Sequence, residues 1–180
     1  MLELAVGIAR STLLVPLTLL PIINPVGNAP IFMAMTRGNA ALSAQMSRQV
    51  AFNAWVILMA SMLIGTYVLR MFGISLEIVR IAGGLLVAAT GWRLLHADEE
   101  DAVRTAVADQ SGELSKREVA RRSFFPMSFP LTAGPGSIAA SIALGTTSEP
   151  SPSTYLVGGT VAALGTALTA GVVYLCYRYA

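Results

Sequence analysis

Two charge-free stretches, residues 11–36 and 123–148, are each interrupted near their middle by a proline beside glycine or asparagine. Arg10 and Arg37 bound the first stretch, whose centre falls beside Asn24-Pro25-Val26-Gly27-Asn28. Arg122 and Glu149 bound the second, centred on Gly134-Pro135-Gly136-Ser137. An uncharged run of this length spans the hydrocarbon core of a bilayer as a helix, which puts both interruptions near the midplane. Proline removes an amide donor and glycine loosens the helix, so backbone polar groups are freed where only a cavity or neighbouring protein can satisfy them. Broken helices at corresponding places in two halves of a chain are the usual sequence pointer to a transporter's binding site.

The rest of the sequence reads as an all-α, polytopic membrane protein. Hydrophobic residues make up 54% of the 180 and charged residues 12%, about half the charged share of a soluble domain. Further spans are expected at 49–69, between Arg48 and Arg70, and at 150–177, between Glu149 and Arg178. A fifth, 72–95, contains Glu77, Arg80 and Arg93. The first apolar run is too long for a signal-peptide core, so this span is expected to be retained. The lone Cys176 carries no disulfide information.

Alternating the loops across the membrane sorts the basic residues. Arg37, Arg48, Arg93, Arg104, Lys116, Arg117, Arg121, Arg122 and Arg178 fall on one side, which is nine of the 12. The positive-inside rule therefore places that side in the cytoplasm and the N-terminus outside, in a multi-pass protein of the bacterial inner membrane. The net charge of +2 is read as a topology signal, with no nucleic-acid partner expected. Residues 97–122 form the long cytoplasmic loop, with Asp98-Glu99-Glu100-Asp101 at its start and Lys116-Arg117 and Arg121-Arg122 at its end.

An internal repeat is the independent check on the paired prolines. Pro25 and Pro135 differ by 110 positions (135 − 25), and the same offset carries 49–69 onto 159–179. It carries 72–95 onto 182–205, past Ala180. The expectation is an inverted repeat of three spans each, with a broken first helix in each repeat and the sixth span missing from this chain. The division is 1–96 for the first repeat, 97–122 for the loop, and 123–180 for a second repeat that stops after two spans.

Three segments, in order, carry a resemblance to a known family. They are Pro21-Ile22-Ile23-Asn24-Pro25-Val26-Gly27-Asn28-Ala29-Pro30-Ile31-Phe32, then Phe72-Gly73-Ile74-Ser75 with Arg80-Ile81-Ala82-Gly83-Gly84-Leu85-Leu86, and Phe129-Pro130-Leu131-Thr132-Ala133-Gly134-Pro135-Gly136-Ser137-Ile138. Together they resemble the MarC family of bacterial inner-membrane proteins. The resemblance implies a six-span protein of slightly over 200 residues, distantly similar to LysE-type amino-acid exporters, and names no substrate.

The candidate substrate-binding residues are Asn24, Pro25, Val26, Gly27, Asn28, Thr132, Gly134, Pro135, Gly136 and Ser137. Either Asn24 caps a half-helix with Pro25 at its first position, or Asn28 caps one with Pro30 following. In the second break Gly134 is the cap and Pro135 the first helical residue. Exposed helix starts carry partial positive charge and suit a carboxylate or other small anion. Simple packing kinks are the bland reading, and the matched pair weighs against it. Glu77 and Arg80 lie three apart, as an interfacial ion pair or, for Glu77, the one intramembrane carboxylate available to couple protons. Asn53 reads as a helix–helix hydrogen bond before a cavity residue, and Gly158, Ala162, Gly165 and Thr169 as a close-packing face. His96 lacks a second histidine, and no HExxH, GxSxG or P-loop pattern occurs, so neither an enzyme nor a metal or other cofactor is expected. The leading expectation is a secondary exporter of small polar metabolites such as amino acids. The alternative is a non-transporting membrane assembly component. Partners would be the lipid bilayer, a small polar or anionic solute and, as an open case, a second copy of the chain.

Overall fold

The computed structural model describes residues 2–36, 39–96, 116–145 and 152–179, and these are helical with no strand among them. Helices α1 (Leu2–Ile23), α2 (Pro25–Thr36), α3 (Ala40–Met71) and α4 (Leu76–His96) form the first part of the chain. A short helix α5 (Lys116–Arg122) runs into a wider, π-type segment at Ser123–Thr132, followed by α6 (Pro135–Gly145) and α7 (Pro152–Tyr179). Three helices are long and apolar enough to cross a membrane among the described residues, at Val6–Ile23, Ala40–Met71 and Val157–Tyr179. Helix α4, with 21 residues, is roughly 30 Å long at 1.5 Å per residue, a bilayer's hydrocarbon thickness.

Helix α1 starts well before the charge-free run, because Arg10 does not end it. Arginine is a good helix former, and this one is exposed on the outer face. The helix stops at Ile23 because Asn24 adopts a left-handed backbone with φ of 46°, a region that asparagine tolerates better than most residues. Helix α3 is capped by Asn39, whose carboxamide oxygen accepts from the amides of Ala41 and Leu42 at 3.0 and 3.1 Å. At its other end Gly73 takes φ of 67°. Its amide then donates to Arg70 O, and that of Ile74 to Leu69 O, closing the helix in the Schellman manner. Ser75 opens α4 directly afterwards by accepting from the Ile78 amide. The segment Phe72-Gly73-Ile74-Ser75 is therefore a tight helix-to-helix turn.

The π-type segment contains two extended residues, Phe125 and Phe129, each followed by a proline that disfavours the helical conformation before it. This stretch is bent twice and does not run as one straight helix.

The core is a seam joining α1, α2, α3 and α7. Val15, Leu19 and Ile23, four residues apart on α1, meet Val50 and Leu58 of α3, Phe32 of α2 and Val173 of α7 in one apolar cluster. The opposite faces are as apolar as the seam: Leu13 and Leu17 of α1, Phe52 and Ile64 of α3, and Leu164 and Leu175 of α7 are exposed. Helices that are apolar all round belong in lipid. Packing between them relies on small residues. Gly165 of α7 faces Val15, whose Cβ lies 2.6 Å from where a glycine-borne Cβ would stand. A Cβ on Gly145 of α6 would strike the Met62 backbone of α3. Ala162, Gly165 and Thr169 are buried on one face of α7, as a close-packing stripe requires.

Candidate functional site

The first interruption is organised by two asparagines with different tasks. Asn24 ends α1, and its Oδ1 accepts from the Gly27 amide at 3.2 Å while Pro25 stands at the first position of α2. That is an N-cap with proline at N1. Asn28 lies within α2 and acts as a donor: its Nδ2 reaches Ile23 O at 2.9 Å and Leu131 O at 3.2 Å. The second of these bonds ties α2 to the end of the π-type segment, 103 residues further along.

The second interruption is Ala133-Gly134, between the π-type segment and α6. Gly134 O accepts from the Ile138 amide at 3.0 Å, and Ser137 Oγ donates to the same carbonyl at 3.0 Å. Gly136 and Ser137 occupy the first turn of α6, where amides have no carbonyl one turn back inside the helix. Thr132 is fully buried. Its hydroxyl donates to Met127 O at 2.7 Å and lies 3.1 Å from the Tyr177 hydroxyl. Tyr177 comes from α7, is itself buried, and stacks on Phe32 of α2 with ring centroids 4.8 Å apart and planes 10° from parallel.

Asn28, Leu131, Thr132, Tyr177 and Phe32 thus form one contact set built from α2, the π-type segment and α7. The remaining candidates are distributed around it. Pro25 and Ser137 are buried, Gly134 and Gly136 half-buried, and Asn24, Val26 and Gly27 exposed. Glu77 stands exposed in the first turn of α4, a helix that packs on α6. The side chain of Arg80, and with it the pairing expected of Glu77 and Arg80, lies outside the described residues, as do Asp98 to Asp101. Asn53 makes a helix–helix bond, donating from Nδ2 to Ser128 Oγ at 3.1 Å.

Sequence reasoning missed Tyr177, Phe32 and Ser128. The 110-residue offset pairs Tyr177 with Tyr67, which was the available signal for the tyrosine. The chemistry gathered here is neutral: a carboxamide, two hydroxyls, backbone carbonyls and the amides that open α2 and α6. Such groups bind and orient by hydrogen bonding and helix-terminal charge. No group of three or more His, Cys, Asp or Glu side chains is gathered among the described residues.

Residues 10–180 match the family described as MarC family integral membrane protein. The chain belongs to the MarC family. It is 34% identical to the UPF0056 membrane protein YvbG of Bacillus subtilis over 129 residues, covering 71% of this chain and 60% of that protein. It is also 34% identical to the UPF0056 inner membrane protein MarC of Salmonella typhimurium over 122 residues, 67% of this chain and 55% of the relative. A Buchnera aphidicola UPF0056 membrane protein is 31% identical over 126 residues, covering 69% of the chain and 57% of the relative. The chain therefore matches somewhat more than half the length of these relatives. No solved structure matches it. Family and apolar helices together make this an integral membrane protein of an inner-membrane family.

Proposed function

We propose that this MarC-family chain is a secondary transporter that exports small polar metabolites, amino acids among them, from a site between its two helix interruptions. The observation that carries the reading is the bond from Asn28 Nδ2 to Leu131 O, which ties the helix that starts at the first interruption to the segment that ends at the second. A zwitterionic solute has the complementary chemistry. Its carboxylate suits the amides opening α2 and α6, at Val26, Gly136 and Ser137, and its ammonium suits the Ile23 and Leu131 carbonyls that Asn28 now occupies. Substrate entry would then replace the Asn28 bonds, exchanging one set of hydrogen bonds for another at small net cost.

An inverted repeat gives this site two alternative accesses. Correspondences at an offset of 110 support it: Asn28 N to Asn24 O against Ile138 N to Gly134 O, Pro16 inside α1 against Pro126 inside the π-type segment, and Tyr67 against Tyr177. In this reading residues 11–36 and 123–148 are discontinuous spans with the N-terminus outside and residues 97–122 cytoplasmic. The chain does no covalent chemistry, and the driving force is an ion or substrate gradient, with Glu77 the acidic group available for a proton. Liposomes containing the protein and loaded with panels of labelled amino acids should show counterflow that Asn28→Leu abolishes. Absence of flux for every solute tested, from protein that is inserted and folded, would refute the transport reading.

A further inference from the structure

Away from the helix interruptions, two cavities meet at a single pair of side chains on α3. One, of about 650 Å³, is lined by Arg48, Gln49, Phe52, Asn53, Ala120 and Phe124, between α3, α5 and the π-type segment. The other, a more open groove of about 360 Å³, runs between α3 and α7 and is lined by Arg48, Phe52, Trp55, Ala167, Gly171 and Tyr174 among others. Arg48 and Phe52 border both. The cavity of mixed lining and the almost wholly apolar groove therefore form one amphipathic cleft with a guanidinium at the junction.

Its depth follows from helix geometry. Arg48 and Arg70 are 22 residues apart on α3, about 33 Å along the axis, which matches a hydrocarbon core of about 30 Å. Arg48 thus stands at one membrane–water interface, and Trp55 lies roughly 10 Å deeper. Phe52 and Trp55 are in ring contact, with centroids 6.1 Å apart, and the Trp55 indole donates to Ala163 O at 3.4 Å, fixing the groove wall to α7. The cation at the junction is open to a ligand: Arg48 is exposed and has no carboxylate within ion-pair distance among the described residues.

The geometry points to a bound anionic glycerophospholipid, phosphatidylglycerol in particular. Its phosphate sits on the Arg48 guanidinium, where a bidentate charge-assisted pair is the natural contact. Its glycerol headgroup enters the cavity, beside the carboxamide side chains of Gln49 and Asn53 that line it. One acyl chain lies in the groove along Phe52 and Trp55. Basic pockets between membrane helices at an interface take anionic headgroups for these reasons. The aromatic side chains by themselves would make only an interfacial belt. The open groove continuous with a cation that has no ion-pair partner among the described residues is what distinguishes a site from a belt.

Native mass spectrometry of the detergent-purified chain, titrated with dioleoyl-phosphatidylglycerol or dioleoyl-phosphatidylcholine, tests this. One tightly held phosphatidylglycerol is expected, with phosphatidylcholine at least about tenfold weaker, because its choline brings a second cation beside the Arg48 guanidinium and neutralises the lipid's net charge. Arg48→Gln should abolish the preference, whereas Arg70→Gln, which removes the same charge at the opposite interface, should preserve it. Gly171→Leu provides a variant that leaves Arg48 in place: open space surrounds the position of a Cβ at Gly171, so the new side chain fills the groove and should displace the acyl chain. Soluble glycerophosphoglycerol and inorganic phosphate should not compete at equal concentration. Equal retention of the two lipids, an equal effect of Arg70→Gln, or full competition by soluble phosphate would each overturn the assignment.

Discussion

The Tyr177 hydroxyl is 3.1 Å from Thr132 Oγ1 across 45 residues of sequence, with both side chains shut away from the surface. Thr132 already donates to Met127 O, so the tyrosine is the donor in this pair and the threonine oxygen the acceptor. The bond pins α7 to the residue that precedes the second interruption. Removing the hydroxyl alone, in Tyr177→Phe, keeps the stacking on Phe32 and should cost about 1 kcal/mol. Tyr177→Ala also removes the ring and opens a cavity, which should cost about 3–5 kcal/mol. Thermal unfolding in detergent should give that order, with Tyr177→Phe close to wild type.

Asn28 is the next test, because its two bonds fail together. In Asn28→Leu the carbonyls of Ile23 and Leu131 both lose their donor, and because both bonds are half-buried the penalty falls toward the lower end of about 1–3 kcal/mol. Asn28→Asp removes the donors and adds a charge, so it should be the more damaging of the two. Asn24→Gly removes the cap without straining the left-handed backbone and should cost less than about 1 kcal/mol. A melting series that ranks Asn24→Gly as the most destabilising of the three would contradict the assignment of these roles.

For Asn53 and Ser128 the pairing is direct, and Ser128 in turn donates to Ser123 O at 2.6 Å. A double-mutant cycle with Asn53→Ala and Ser128→Ala should yield a coupling energy of about 0.6 kcal/mol, the usual value for such bonds between membrane helices. Additive single effects would show that the bond contributes nothing to stability.

Helical, lipid-facing character was legible because it depends on local quantities: uncharged runs, their lengths and the residues that bound them. The starts of α2 and α6 at Pro25 and Pro135 follow from proline's fixed φ and its missing amide. What the residues left open at the first interruption was which asparagine caps. The backbone decides that in favour of Asn24, since φ of 46° turns its carboxamide onto the Gly27 amide and leaves Asn28 free to reach the π-type segment. The charge-free run 11–36 marked apolar character without marking where a helix begins, and α1 extends back to Leu2. Tyr177 with Thr132, and Asn53 with Ser128, were illegible for another reason. Nothing in a local pattern specifies which side chains meet when α7 and α3 pack against a segment bent at Phe125 and Phe129.

Orientation can be tested with single cysteines in a Cys176→Ser background. With nine of 12 basic residues assigned to one side, a cysteine at Ser111 should react with a membrane-impermeant maleimide only from the cytoplasmic face, and one at Ser148 only from the periplasmic face. The opposite labelling pattern would reverse the topology and with it the proposed direction of both half-helices.

The sharpest test of the proposed substrate site is to mend each interruption separately. A Cβ at Gly27 would collide with the Asn24 carboxamide, so Pro25→Ala with Gly27→Ala both restores an amide and dislodges the cap. Pro135→Ala with Gly136→Ala does the equivalent at the start of α6. Alanine is the strongest helix former and the smallest side chain that favours continuity, so membrane insertion should survive in both variants. Counterflow in liposomes should fall to background in each pair alone, because a solute held between two helix starts needs both. Glu77→Gln should instead remove only the dependence of flux on a proton gradient, and Arg70→Gln should leave flux unchanged. Wild-type flux in both mended variants, with insertion verified, would reduce Pro25 and Pro135 to packing kinks and remove the physical basis for a binding site at this position.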